Sequence, residues 1–192
     1  PHYVNLFPNN NIAEHVFDKL VQMDADSRMI PGIATSWKAL DERTWEFKLR
    51  KGAKFHDGSE LTAEDVAFSI NRVPTVPNSP GPFSAYTKAI TSIEIVDPYT
   101  IRFKTAAPHP LMPNDMSTIY IVSKKIATGA TAEDFNSGKV AVGKPGAETP
   151  LGLFYVTWKF NPSIDPDWSI LGAFAFETSA YSRLTDWPGG GI

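Results

Sequence analysis

The chain carries 16 prolines and 13 glycines, and most of them sit in the connections between short periodic runs. A proline fixes φ and removes a backbone donor, so a helix stops near it and a central strand avoids it. The chain is therefore restricted to many short elements joined by turns. Within 192 residues, 42% of them hydrophobic, these elements can still bury a core without staples, which excludes disorder and collagen.

Apolar spacing places the elements. Ile12, Val16, Phe17 and Leu20 follow Asn9, Asn10 and Asn11, which predicts an amphipathic helix from Ile12 to Met23 with an asparagine as its cap. Trp45, Phe47 and Leu49 alternate with Glu46, Lys48 and Arg50, the pattern of a half-buried strand. The run from Ile33 to Leu40, with Trp37, pairs with it across a turn at 41–44 as a hairpin. A second hairpin is expected from Ile93–Val96 and Ile101–Lys104 around Asp97-Pro98, with Ile93, Ile95, Ile101 and Phe103 inward.

The clearest local signal is Leu61-Thr62-Ala63-Glu64-Asp65-Val66. Thr62 as N-cap with Asp65 three residues on forms a capping box, and Leu61 with Val66 forms a hydrophobic staple. This helix buries Ala63, Val66, Ala67 and Ile70 and stops near Val73, because Pro74 follows. Ile119–Val122 reads as a short strand or core segment, Leu151–Trp158 as a buried strand and Ile170–Phe176 as a short helix.

The chemistry that the composition leaves open is narrow. Eighteen Lys+Arg against 21 Asp+Glu give a formal net charge of −3 and no basic stripe, so nucleic acid is not expected as a partner. Zero cysteines exclude a disulfide scaffold, thiolate metal sites and a thiol nucleophile. No apolar run is long enough for a membrane span, and Pro1-His2-Tyr3 does not open a signal peptide.

His56-Asp57-Gly58 reads as a turn rather than a metal site, since no second histidine stands at helical zinc spacing. Glu64 and Asp65 point about 100° apart on a helix and cannot serve as a glycosidase pair; capping accounts for them. No nucleophile elbow, phosphate loop or dinucleotide fingerprint occurs. Aromatics outside the strand alternation, Tyr86, Trp158, Trp168 and Trp187, are the better candidates for a binding surface. From its residues alone the chain is an α/β or α+β module in which binding outranks catalysis, with no catalytic residue, metal site or cofactor expected.

Met29-Ile30-Pro31-Gly32-Ile33-Ala34-Thr35-Ser36-Trp37, the continuous stretch from Thr44 to Gly58, and Leu61 through Arg72 together resemble one family. They are similar to the family 5 extracellular solute-binding proteins of ABC importers, the group of dipeptide-, oligopeptide- and nickel-binding proteins. Ile93–Lys104 resembles the family's second hairpin, and Phe135–Gly143 the approach to its Val-Gly-Thr-Gly-Pro-Tyr motif. There the likeness breaks, because Lys144-Pro145-Gly146 follows Val142-Gly143. Leu151–Asp167, with Trp158 and Asp165-Pro166, then resembles a later part of the family.

The resemblance implies an α/β, periplasmic-binding-protein-like fold of type II, two-lobed and represented here mainly by the first lobe. Residues 1–143 would be segments of the N-terminal lobe and residues 144–192 part of the second lobe after an internal deletion. It implies a receptor that captures a small-molecule or peptide ligand and delivers it to an ABC transporter permease. The protein would be periplasmic or anchored outside a bacterial membrane, its signal segment absent from this chain.

Ligand-facing residues implied by the resemblance are Asn9, Asn10, Tyr86, Trp158 and Asn161. Peptide-binding members place an aspartate three residues after the tryptophan, to pair with the peptide amine. Here Asn161 takes that place, which argues against an anchored α-amine. The alternatives are a fragment that binds nothing by itself and, further off, a carboxylate-dependent hydrolase.

Overall fold

The structure, a computed structural model, describes residues 1–131 and 134–135, together with the strand backbones at 156–159 and 176–178. Contacts group the chain into two compact units, Pro1–Ala147 and Glu148–Ile192.

The first unit opens with helix α1 (Phe7–Val16), then a small antiparallel pair, β1 (Val21–Met23) and β2 (Met29–Pro31). The helix thus starts five residues and ends seven residues earlier than the apolar spacing predicts, and Val21–Met23 is a strand. Phe7 and Pro8 open it, where the missing proline N–H costs nothing, so Asn9, Asn10 and Asn11 stand inside it and not at its cap. No residue of α1 is buried, which is why its sequence carries no reliable helical period.

Two hairpins follow as expected: β3 (Ala34–Asp41) with β4 (Thr44–Leu49), and β5 (Ile90–Asp97) with β6 (Thr100–Thr105). Each turns on an aspartate whose Oδ1 accepts the N–H two residues on, Asp41 from Arg43 at 2.7 Å and Asp97 from Tyr99 at 2.8 Å. Strands β4 and β6 pair antiparallel and fuse the hairpins into one sheet of order β3-β4-β6-β5.

The registers place Trp37, Phe47, Ile101 and Ile95 in one row across the sheet, and Ala39, Trp45, Phe103 and Ile93 in another. Phe47 and Phe103 are fully buried, with ring centroids 5.3 Å apart. Ile95 remains 40% exposed, against expectation, on β5 at the edge of the sheet. The row on the other face, Lys38, Glu46, Arg102 and Glu94, alternates in charge across all four strands. Glu46 is 6% exposed yet ionised: Arg102 bonds its Oε2 through Nε and Nη2 at 2.9 and 2.8 Å and holds its carboxyl below the usual range.

Helix α2 (Ala63–Arg72) starts at the capping box read from the sequence. The Asp65 Oδ2 accepts the Thr62 N–H at 2.9 Å, while Oδ1 accepts the Lys124 N–H at 2.9 Å at the start of α4 (Lys124–Ala127). One carboxylate thereby fixes two helix starts. Helix α3 (Met112–Met116) leads into Ile119–Val122, a buried core segment rather than a strand. Its backbone is satisfied from three directions: Tyr120 O by His2, the Ile121 N–H by Asp18 O and the Val122 N–H by Ser69 Oγ.

Gly32 is required where the chain enters β3, since a Cβ there would lie 2.4 Å from the Lys19 carbonyl oxygen. In the second unit β7 (Val156–Lys159) pairs antiparallel with β8 (Phe176–Thr178). Of the strand expected over Leu151–Trp158, the described residues hold 156–158 in β7, and 151–155 lie outside them. The helix expected over 170–176 ends in β8, and its remaining residues lie outside the described ones.

Candidate functional site

The site is built by the first six residues and a short turn at Phe83–Tyr86. The N-terminal residues run extended beside 79–81: the Asn5 N–H donates to Gly81 O at 2.8 Å, Val4 bridges Gly81, and the Ser79 hydroxyl donates to the Tyr3 carbonyl. His2 anchors the segment from below. It is 1% exposed, its Nε2 lies 2.7 Å from Tyr120 O and its Nδ1 3.2 Å from Arg72 Nη1. A carbonyl must receive a proton and a guanidinium must give one, so His2 is the neutral Nε2–H tautomer. Burial foremost pushes its pKa down to about 3.

Phe83 is buried in the turn, in edge contact with His2 at 6.0 Å and Tyr120 at 6.1 Å, and Tyr86 in the same turn is half-buried against the core. Tyr86 then meets the N-terminal segment through a directed series of hydrogen bonds. The Tyr120 hydroxyl donates to the Asn10 carbonyl at 3.1 Å, Asn10 Nδ2 to Asn5 Oδ1 at 2.8 Å, and Asn5 Nδ2 to the Tyr86 hydroxyl oxygen at 3.3 Å. Leu6, Phe7 and Ile12 lie near these polar groups in sequence and are exposed, Phe7 by 78%. Exposed apolar side chains with a few fixed polar groups are the materials of a ligand-binding wall.

Of the residues singled out in the sequence, the structure brings Asn10 and Tyr86 together, through Asn5, and leaves Asn9 exposed on α1. Trp158 stands in β7, opposite Glu177; Asn161, Trp168 and Trp187 lie outside the described residues. Sequence reasoning passed over Asn5, a lone asparagine before a helix with no spacing to mark it.

The other candidates resolve as turns and ties. The Ser59 hydroxyl, foremost, and the Ser59 N–H at 3.0 Å both donate to Asp57 Oδ1 and hold the carboxyl below its usual range. Glu64 pairs with Lys124 while Asp65 caps α2, so the two carboxylates serve different partners. Among the described residues no group of three or more His, Asp or Glu is placed to hold a metal, and no helix is long and apolar enough to cross a membrane. A groove of about 150 Å³ lined by Glu14, Phe17, Asp18, Lys19, Gln22 and Met23 is below the ~300 Å³ at which small-molecule sites begin.

Residues 28–152 match the model of the bacterial extracellular solute-binding proteins, family 5 Middle. The periplasmic oligopeptide-binding protein OppA of Escherichia coli is 38% identical over 86 residues, 45% of this chain and 16% of that protein. Among solved structures, OppA of Burkholderia pseudomallei superposes with a TM-score of 0.67 at 24% identity, over 76% of this chain and 32% of that one. The oligopeptide-binding protein AppA of Bacillus subtilis, solved with a nonapeptide, does so with a TM-score of 0.65 at 25% identity, over 80% and 32%. The mixed α/β fold is therefore that of part of a periplasmic binding protein, and the chain spans about one sixth of the E. coli relative. With the family model matched over well more than half its residues, the chain belongs to the family 5 bacterial extracellular solute-binding proteins.

Proposed function

We propose that the natural protein is the receptor of an ABC import system, located outside the cytoplasmic membrane, that closes two lobes around a peptide or similar small solute and hands it to a permease. The family binds solutes and is not catalytic. The E. coli relative is periplasmic and oligopeptide-binding by name and the B. subtilis one oligopeptide-binding, which supports the compartment and the ligand class.

The observation that carries the reading is the wall around Asn5, Asn10 and Tyr86: fixed polar groups next to an α1 that buries none of its residues. Asn9, Asn10 and Tyr86 would face the ligand from this side, Trp158 and Asn161 from the second lobe, to which residues 144–192 would belong. Because the chain spans a small share of its relatives, the 192 residues alone would offer one wall of the cleft and bind weakly or not at all.

The test is calorimetric titration of the full-length natural protein with unblocked alanine di- to pentapeptides. Saturable binding that Trp158→Ala weakens at least tenfold supports the reading. Binding left unchanged by Trp158→Ala removes that residue from the site, and no binding of any peptide overturns the peptide form of the proposal.

A further inference from the structure

Asn5 touches Tyr86 from one side and Asn10 from the other, and the direction of these bonds has a chemical consequence. Asn5 spends its carbonyl oxygen on Asn10 Nδ2 at 2.8 Å and offers its amide N–H to the Tyr86 oxygen at 3.3 Å. A phenol whose oxygen already accepts is left with its own O–H to give. We infer that Asn5 is a positioning residue that fixes the Tyr86 hydroxyl as a hydrogen-bond donor, so that this wall selects a ligand presenting an acceptor oxygen, a carbonyl or carboxylate, and disfavours an ammonium. The inference rests on the proposed binding function and adds to it which chemical group this wall admits.

The segment is built to keep that direction. The Asn5 backbone N–H is held by Gly81 O at 2.8 Å, and the Asn10 backbone carbonyl by the Tyr120 hydroxyl at 3.1 Å, so neither residue is on a free loop. Tyr86 is partly buried and packs against the core, in the same turn as the buried Phe83. A donor held in place costs little entropy when a ligand arrives, whereas an ammonium would meet a second donor and lose its own hydration.

The decisive variant is Asn5→Asp. An aspartate of the same shape still accepts from Asn10 but has no proton for Tyr86, whose hydroxyl then turns to donate inward. The tyrosine Fermi doublet in the Raman spectrum distinguishes an accepting from a donating phenol, and subtracting the Tyr86→Phe spectrum isolates this residue without any ligand. In the full-length natural protein the expected spectrum is that of a hydroxyl that accepts from Asn5 and gives its own O–H to water, changing to one that only donates in Asn5→Asp.

With the alanine peptides as probe, Asn5→Asp and Tyr86→Phe are each expected to weaken binding about fivefold to tenfold, the worth of one neutral hydrogen bond. The double variant should be no weaker than either single one, because both remove the same donor. A Tyr86 hydroxyl that donates without accepting in the unaltered protein, or full affinity in Asn5→Asp, overturns the inference while leaving the binding function standing. If no peptide binds, the functional reading fails by itself, and the Raman result still decides how Asn5 sets the hydroxyl.

Discussion

His2 is the residue whose burial makes the sharpest claim about solution behaviour. Folded, its pKa lies near 3; in the unfolded chain it returns to an ordinary value of about 6.5. As pH falls from about 6.5 toward 3, the unfolded chain takes up a proton that the folded chain refuses, so stability declines through that window and is fully present above it. Urea unfolding at neutral pH and at about pH 4 should differ by a His2 contribution of roughly 3 kcal/mol. Replacing His2 with glutamine should flatten the dependence; an equally steep slope in that variant would place the acid lability elsewhere. Nothing in the sequence marks His2 for this role, since its partners Tyr120 and Arg72 are 118 and 70 positions away.

At the scale of elements, Asp65 serves more than the helix it begins. Thr62→Ala leaves the Asp65 carboxylate with its backbone donors at both Thr62 and Lys124, whereas Asp65→Ala frees both in partly buried surroundings. The first should cost about 1 kcal/mol and the second about 2–3 kcal/mol in chemical denaturation, so equal costs would mean that the bond to α4 contributes nothing. The capping box itself was legible because it is local, as were both hairpins, whose alternation reports a single buried face.

What was not legible came from partners distant in sequence. Glu46 reads as a wet-face residue and is nearly buried, because Arg102, 56 positions on, satisfies it. Helix α1 buries no residue and so writes no period into its sequence, and the apolar spacing points instead to Ile12–Met23. Tyr86 stands out as an aromatic outside the strand alternation and Asn10 enters through the family resemblance, while Asn5 appears only when 81 residues of separation close to a hydrogen bond.

For the whole molecule, fold and family stand on different ground from the ligand. The sheet of order β3-β4-β6-β5, its capped helix and the match over residues 28–152 agree on a family 5 solute-binding protein. The capture of a solute is the central claim, and a receptor that encloses its ligand keeps it through gentle purification. Native mass spectrometry of the full-length natural protein, purified without denaturant, tests this most directly. The account predicts a complex heavier than the chain that releases one class of small solute, with peptide-like masses, on collisional activation. A bare chain mass that stays bare when the alanine peptides are added would contradict it.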